Sequence, residues 1–256
     1  MKPFMTLCDK LMGREYFDKW VDWSLNKAIP EDKDFALRQT FKDQKYRAQF
    51  IFTLFKYHYD VLFMRYSRGD PLDELKAFLP EVVSAWEWAY EEEINVFSAE
   101  EMAGRKQFRR NRDIYVICLW LISIAICLEA DDELMARMIK LIGNEGEDRL
   151  YESLLATRVT GRKPAPALLY PKPYEPLYYC IVTPERVDEW MKQFLKQWYP
   201  ALKGTYWHDC HKGPDGGGYF GYWCFEAAGV VKAFHLDDSP FRDMAYYPRD
   251  VAGYRA

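Results

Sequence analysis

The sequence contains no C-x-x-C pair. Its 6 cysteines, at positions 8, 118, 127, 180, 210 and 224, lie scattered through 256 residues. That scatter excludes a disulfide framework and reads as free thiols of a reducing compartment. A basic surplus is lacking too: 35 Lys and Arg stand against 39 Asp and Glu, a formal net charge of -4. Direct nucleic-acid binding is therefore not expected, because such proteins carry surplus positive charge. There is no G-x-S-x-G, no P-loop and no G-x-G-x-x-G. The glycines at 216–218 follow Asp215 without a preceding strand or a Lys-Ser/Thr, so they read as a turn. The N-terminal MKPFMTLCDKLMGREYF turns charged at Asp9 and Lys10, before an apolar signal core can form, and cytoplasmic residence is expected. Ile114–Leu128 is apolar but too short to cross a bilayer. Arg112–Asp113 and Glu129–Asp131 bound it, so it is expected as a buried core helix and no membrane association follows. Internal repeats, low-complexity tails and convincing runs of alternating strand residues are also lacking.

What is present is aromatic and helical. Aromatic residues make up 17% of the chain, with 9 Trp and 19 Tyr. Such side chains imply a large rigid core and supply interface anchors, which permits a homodimer. Phe17, Trp20 and Val21 follow helical spacing, as do Phe50, Leu54, Tyr57 and Val61. The interval from Pro30 to Gly69 has no internal glycine or proline, and one long helix is expected there. Asp70–Pro71 supplies a start signal for a short helix, with Pro80 breaking it or opening the next through Trp86 and Trp88. Asp131–Asp132 caps a helix ended by Gly143, and Asp148 starts a shorter one. Thr183–Pro184 caps a helix that stops at Pro200. Arg158–Pro176, with five prolines, cannot be helical throughout. Asp238 or Ser239 is expected to cap a short helix led by Pro240. The fold class is all-α.

Charge is patchy. Acidic clusters fall at Glu91–Glu93, at Glu129 with Asp131, Asp132 and Glu133, and at Glu145, Glu147 and Asp148. Each also has a plain reading as a solvated helix end. A sharper question is Glu226, in a helix expected over Tyr219–Phe234 whose other charge is Lys232. Six positions apart, the two do not share a face. A buried Glu226 needs a hydrogen-bonding or cationic partner, or it is driven toward its neutral form. His208, His211 and Lys212 are the nearest upstream candidates. Without a second matched carboxylate or a metal, Glu226 reads as a structural tie. No catalytic residue and no cofactor are expected.

His208, Asp209, Cys210 and His211 offer zinc-compatible ligand types, but the spacing matches no standard pair of ligand hairpins. His208–Asp209 also resembles the signature of the all-helical HD-type phosphohydrolases, whose earlier histidine here could only be His58. A metal-dependent hydrolase using His208, Asp209 and His211 stands as the alternative function, and a helical scaffold as a third.

The C-terminal motifs carry a resemblance. W-x-D-x-H-K (Trp207, Asp209, His211, Lys212) precedes Y-F-G-Y-W-x-F-E-A-A over Tyr219–Ala228. L-D-D-S over Leu236–Ser239 and Y-Y-P-x-D over Tyr246–Asp250 follow. Together they resemble the PoNi-type immunity proteins of polymorphic toxin systems. Upstream, Tyr66-Ser67-Arg68-Gly69, Lys172-Pro173-Tyr174 and Trp198-Tyr199 extend the match to nearly the whole chain. The resemblance implies a helical bundle of two adjoining modules, residues 1–110 and 111–256. It makes Trp207, His211, Gly221, Tyr222, Trp223, Glu226, Tyr247 and Pro248 core or loop-fixing motif positions. It also implies a non-enzymatic partner: a cytoplasmic immunity protein that binds and neutralises a cognate antibacterial DNase toxin. A DNA-cleaving domain presents a basic cleft, so the contact surface is expected at Glu129, Asp131, Asp132, Glu133, Asp237 and Asp238.

Overall fold

The computed structural model describes residues 9–213, 215 and 218–255. Cys8 with the N-terminal stretch, and Gly216 and Gly217 of the expected turn, lie outside the described residues. Every regular element among the described residues is a helix. Packing divides the chain into two compact units. One comprises residues up to Ala103 together with Asp209–Tyr222, and the other Gly104–His208 with the chain from Trp223 onward.

In the first unit, α1 (Arg14–Trp23) buries Phe17 and Val21 and passes through a π-helical stretch, Ser24–Ala28, into α2 (Ile29–Arg38). The single long helix expected from Pro30 to Gly69 is in fact two. Gln39 turns extended, with ψ 142°. The Asp43 carboxylate then accepts the N–H groups of Lys45 and Tyr46 at 2.8 and 3.2 Å, starting α3 (Gln44–Arg68). A side-chain cap begins the second helix here, and the break contains no glycine or proline. Gly69, at φ 85°, closes α3 in the left-handed conformation that glycine adopts without a Cβ penalty.

Helix α4 (Leu72–Val96) corrects a second expectation, because it runs straight through Pro80. An interior proline costs about 3 kcal/mol, but Pro80 is exposed. Leu75, Phe78, Leu79, Val82, Val83 and Trp86 are all buried around it, each contributing about 1.5–3 kcal/mol. Burial wins. Asp70 does not cap this helix; Pro71 holds the cap position, and the Asp70 carboxylate takes Arg65 at 2.8 Å and Arg68 at 2.6 Å. The pair α3–α4 is fastened by Phe55 stacked on Trp86, with centroids 5.1 Å apart. Helix α5 (Ala99–Lys106) carries the chain across the division at Ala103.

The second unit is built on α6 (Arg112–Cys127), capped by Asn111, in which every residue from Ile114 to Cys127 is buried. The apolar run is a core helix, and no described helix is long and apolar enough to cross a membrane. Asp131 caps α7 (Asp132–Ile142) through the Leu134 N–H at 2.8 Å, and Asp148 caps α8 (Arg149–Leu155) through Tyr151 at 2.9 Å. The proline-rich stretch is irregular to Tyr170 and becomes α9 (Pro171–Val182) with prolines in its first turns, where missing N–H groups cost little. Thr183 does not cap the next helix: its hydroxyl donates back to the Tyr179 carbonyl at 2.7 Å, and a short 3₁₀ turn leads into α10 (Val187–Ala201), whose last turn includes Pro200.

The helix expected over Tyr219–Phe234 is shorter. Only α11 (Phe225–Phe234) is helical, and the Cys224 N–H just before it donates to the Tyr246 carbonyl at 2.8 Å. After Asp238 the chain makes turns rather than the expected helix, since the Asp237 carboxylate accepts both the N–H and the hydroxyl of Ser239. A last turn, α12 (Arg249–Ala252), packs against α11. Helices α6 and α11 run in the same direction: Phe225 meets Trp120, Gly229 lies on Ser123, and Lys232 reaches Glu129. A Cβ at position 229 would sit 2.6 Å from Ser123 Cβ, so only glycine permits this approach.

Candidate functional site

Because α6 and α11 are parallel, their C-terminal ends lie side by side, and the two favoured acidic clusters follow those ends. The charges are not equally available. Glu129, in the left-handed conformation at φ 53°, binds Lys232 Nζ at 2.6 Å, and Lys232 also donates to the Tyr254 carbonyl. Asp238 is 8% exposed and accepts Arg242 at 2.9 Å and the Tyr247 hydroxyl at 3.2 Å. Burial and that aspartate push the Tyr247 phenol well up. Asp131, Asp132, Glu133 and Asp237 are exposed. Asp132 is 95% exposed although Arg158 stands 3.1 Å away. Ser239 holds the Asp237 carboxyl below the usual carboxylate range, so it remains charged.

The other acidic clusters are largely spent on the fold. Asp148 is fully buried and takes the N–H groups of Tyr151 and Leu169 and the Tyr115 hydroxyl. Glu147 pairs with Arg109, and Glu145 accepts the Lys163 N–H at 3.1 Å. In the first unit Glu93 is 2% exposed, and Glu92 pairs with Arg47.

Glu226 is completely buried, as its apolar surroundings demanded. Its donor is the Trp198 indole, 2.7 Å from Oε1, not a histidine or lysine. Burial pushes its carboxyl up to about 7, against the Trp198 hydrogen bond that favours the charged form. Around it, Trp198 stacks on Trp207 at 5.2 Å and packs at a tilt on Tyr246 at 5.2 Å, and Trp207 lies 5.2 Å from Trp120. Trp207, Glu226 and the buried Tyr247 and Pro248 thus belong to the core of the second unit, and Trp223 is half-buried there. Trp198 stood among the motif residues, but its role as the donor to Glu226 was not legible, because a neutral indole leaves no charge signal.

The rest of the motif belongs to the first unit. The Tyr219 hydroxyl donates to Asp9, while the Tyr16 hydroxyl donates to the Tyr219 carbonyl at 2.8 Å and the Ser67 hydroxyl to the Phe220 carbonyl at 2.6 Å. Phe220 packs on Tyr59 and Phe63, and Gly221 turns at φ 106°. The Tyr222 hydroxyl meets His211 Nδ1 at 2.6 Å and Cys210 Sγ at 3.7 Å. Burial pushes the Cys210 thiol up to about 11, which makes it a poor nucleophile. His208, in the second unit, stacks on Tyr199 at 4.1 Å. His58 Nδ1 donates to the Leu54 carbonyl, 2.7 Å away, within its own helix. Among the described residues no group of three His, Cys, Asp or Glu side chains stands in metal-ligating geometry.

Comparison with known proteins finds two family models that together span nearly the whole chain and meet near residue 140, not at the division between the packing units. Residues 9–140 match the family described as PoNe immunity protein (PoNi), N-terminal, and residues 146–251 match PoNe immunity proteins (PoNi), C-terminal. No curated protein matches the chain. Among solved structures, the chain is similar to the crystal structure of protein PA2201 from Pseudomonas aeruginosa. The two are 16% identical with a TM-score of 0.63, over 97% of this chain and 98% of that one. At that identity the likeness speaks for the all-α fold.

Proposed function

The chain belongs to the PoNe immunity protein (PoNi) family, and from that premise we propose that it binds and neutralises a cognate antibacterial DNase toxin in the cytoplasm of the cell it protects. The observation that carries this reading is the match of both halves, together spanning residues 9 to 251. The action is stoichiometric rather than catalytic, and it occludes the toxin's basic DNA-binding cleft. Support for the mode of action comes from Asp131, Asp132, Glu133 and Asp237, four exposed acids at the ends of a rigid helix pair. Such a surface steers a cationic partner into contact by long-range attraction. Glu129 and Asp238 back it from below, Glu129 anchored to Lys232 and Asp238 to Arg242.

The test is DNA cleavage by the DNase domain encoded beside this gene, with and without an equimolar amount of the purified protein. Full inhibition with a one-to-one complex is expected. Undiminished cleavage with no complex would overturn the reading.

A further inference from the structure

A concavity of about 390 Å³ opens in the second unit beside α8 and α9. Its walls include Arg149, Glu152, Ser153, Arg162, Lys163 and Tyr178. None of these residues belongs to the acidic surface or to the aromatic motif. The charge here runs against that of the chain: three cations and one anion line the cavity in a protein of net charge -4.

The cations are differently committed. Glu152 is 4% exposed and is gripped by Arg162 through Nε at 2.7 Å and Nη2 at 2.8 Å. That bidentate pair neutralises Arg162 and fixes it as wall. Among the described residues no carboxylate pairs with Arg149. Its Nε donates to the Ala165 carbonyl at 3.3 Å, its Nη2 donates to the Pro166 carbonyl, and its guanidinium lies 5.8 Å from the centre of the Tyr178 ring. Carbonyls and a ring face position the fork but do not cancel its charge. Lys163 is exposed at the mouth, where its backbone N–H donates to Glu145. The lining therefore holds two positive charges beyond its single carboxylate. A phosphomonoester carries about -1.5 to -2 at neutral pH, and a positioned guanidinium matches its oxygens geometrically. A carboxylate would meet only half of that charge. The volume lies within the range of roughly 300–1,000 Å³ typical of small-molecule sites.

We propose that this concavity binds a phosphate group, free or as the phosphomonoester of a nucleotide-sized ligand, through Arg149 and Lys163. The site lies outside the acidic surface proposed for toxin binding and stands whether or not the immunity reading does.

Thermal unfolding of the whole protein tests it, with inorganic phosphate or AMP titrated against sodium chloride of matched ionic strength. A saturable rise in Tm is expected with at least one of the two. An equal response to both assigns the free anion, and saturation at about tenfold lower AMP assigns the ester. Lys163→Glu, a change at an exposed position, should raise the concentration needed by about tenfold or more, and Arg149→Gln should do the same. No saturable rise, or a rise that Lys163→Glu leaves unchanged, overturns the proposal.

Discussion

Glu226 shows how a single buried carboxyl sets a pH dependence. The group titrates near 4.5 when unfolded and near 7 when folded, because burial disfavours its charge. Between those values the folded protein keeps a proton that the unfolded chain has released. Stability therefore falls as pH rises from about 4.5 to 7, and the loss is complete above that. The loss attributable to this residue is on the order of 3 kcal/mol. Glu226→Gln keeps an acceptor for the Trp198 indole but cannot ionise. Urea unfolding between pH 5 and 8 should show a flatter profile for the variant and higher stability than wild type above pH 7. An unchanged slope would mean that other groups control it. The burial of Glu226 was legible in the sequence, since apolar residues surround it on nearly every side. The identity of its partner was not. Charged residues nearby in sequence drew attention, whereas the donor lies 28 positions upstream on another helix.

At the scale of elements, the helices most readable in sequence were those whose signals are local. Asp131 and Asp148 cap where they were expected, and the apolar run of α6 is buried throughout. The failures came from reading proline and glycine as the main punctuation. Pro80 and Pro200 are tolerated because both face solvent while their neighbours pack, and Asp43 caps α3 after a break without either residue type. Asp43→Ala should accordingly cost about 1 kcal/mol in chemical denaturation, the usual worth of such a cap; a neutral result would mean that packing of α3 fixes its start. Gly229→Ala should cost more, about 1–3 kcal/mol, because its new Cβ meets Ser123 on a closely packed neighbour. The same measurement decides it, and an unchanged midpoint would show that α6 and α11 can separate freely.

For the molecule as a whole, the expected partner gives charge its meaning. Asp132→Lys with Glu133→Lys reverses two exposed charges and leaves the Asp131 cap in place. In stopped-flow mixing with the DNase domain, the association rate at low salt should fall by about tenfold or more, and the difference should shrink as salt is added. Equal rates at low salt would remove these residues from the contact surface. The all-α class and the family were legible because helical periodicity and motif residues are properties of the sequence itself. The return of Asp209–Tyr222 to the first unit was not, since it depends on contacts such as Tyr219 with Asp9, 210 positions apart.

That return has a consequence for biosynthesis. Once Ala103 has been made, 119 further residues must be added before Tyr222 exists. At about 5–20 residues per second, the ribosome needs roughly 6–24 s for that stretch. Throughout this interval the nascent first unit lacks the strap that supplies Tyr219 and Phe220, and the faces of Tyr59, Phe63 and Tyr16 that they cover await their partners. The unit that emerges first is thus finished only after Tyr222 has been translated, and a cell that needs this protein quickly must wait for that late segment to be made.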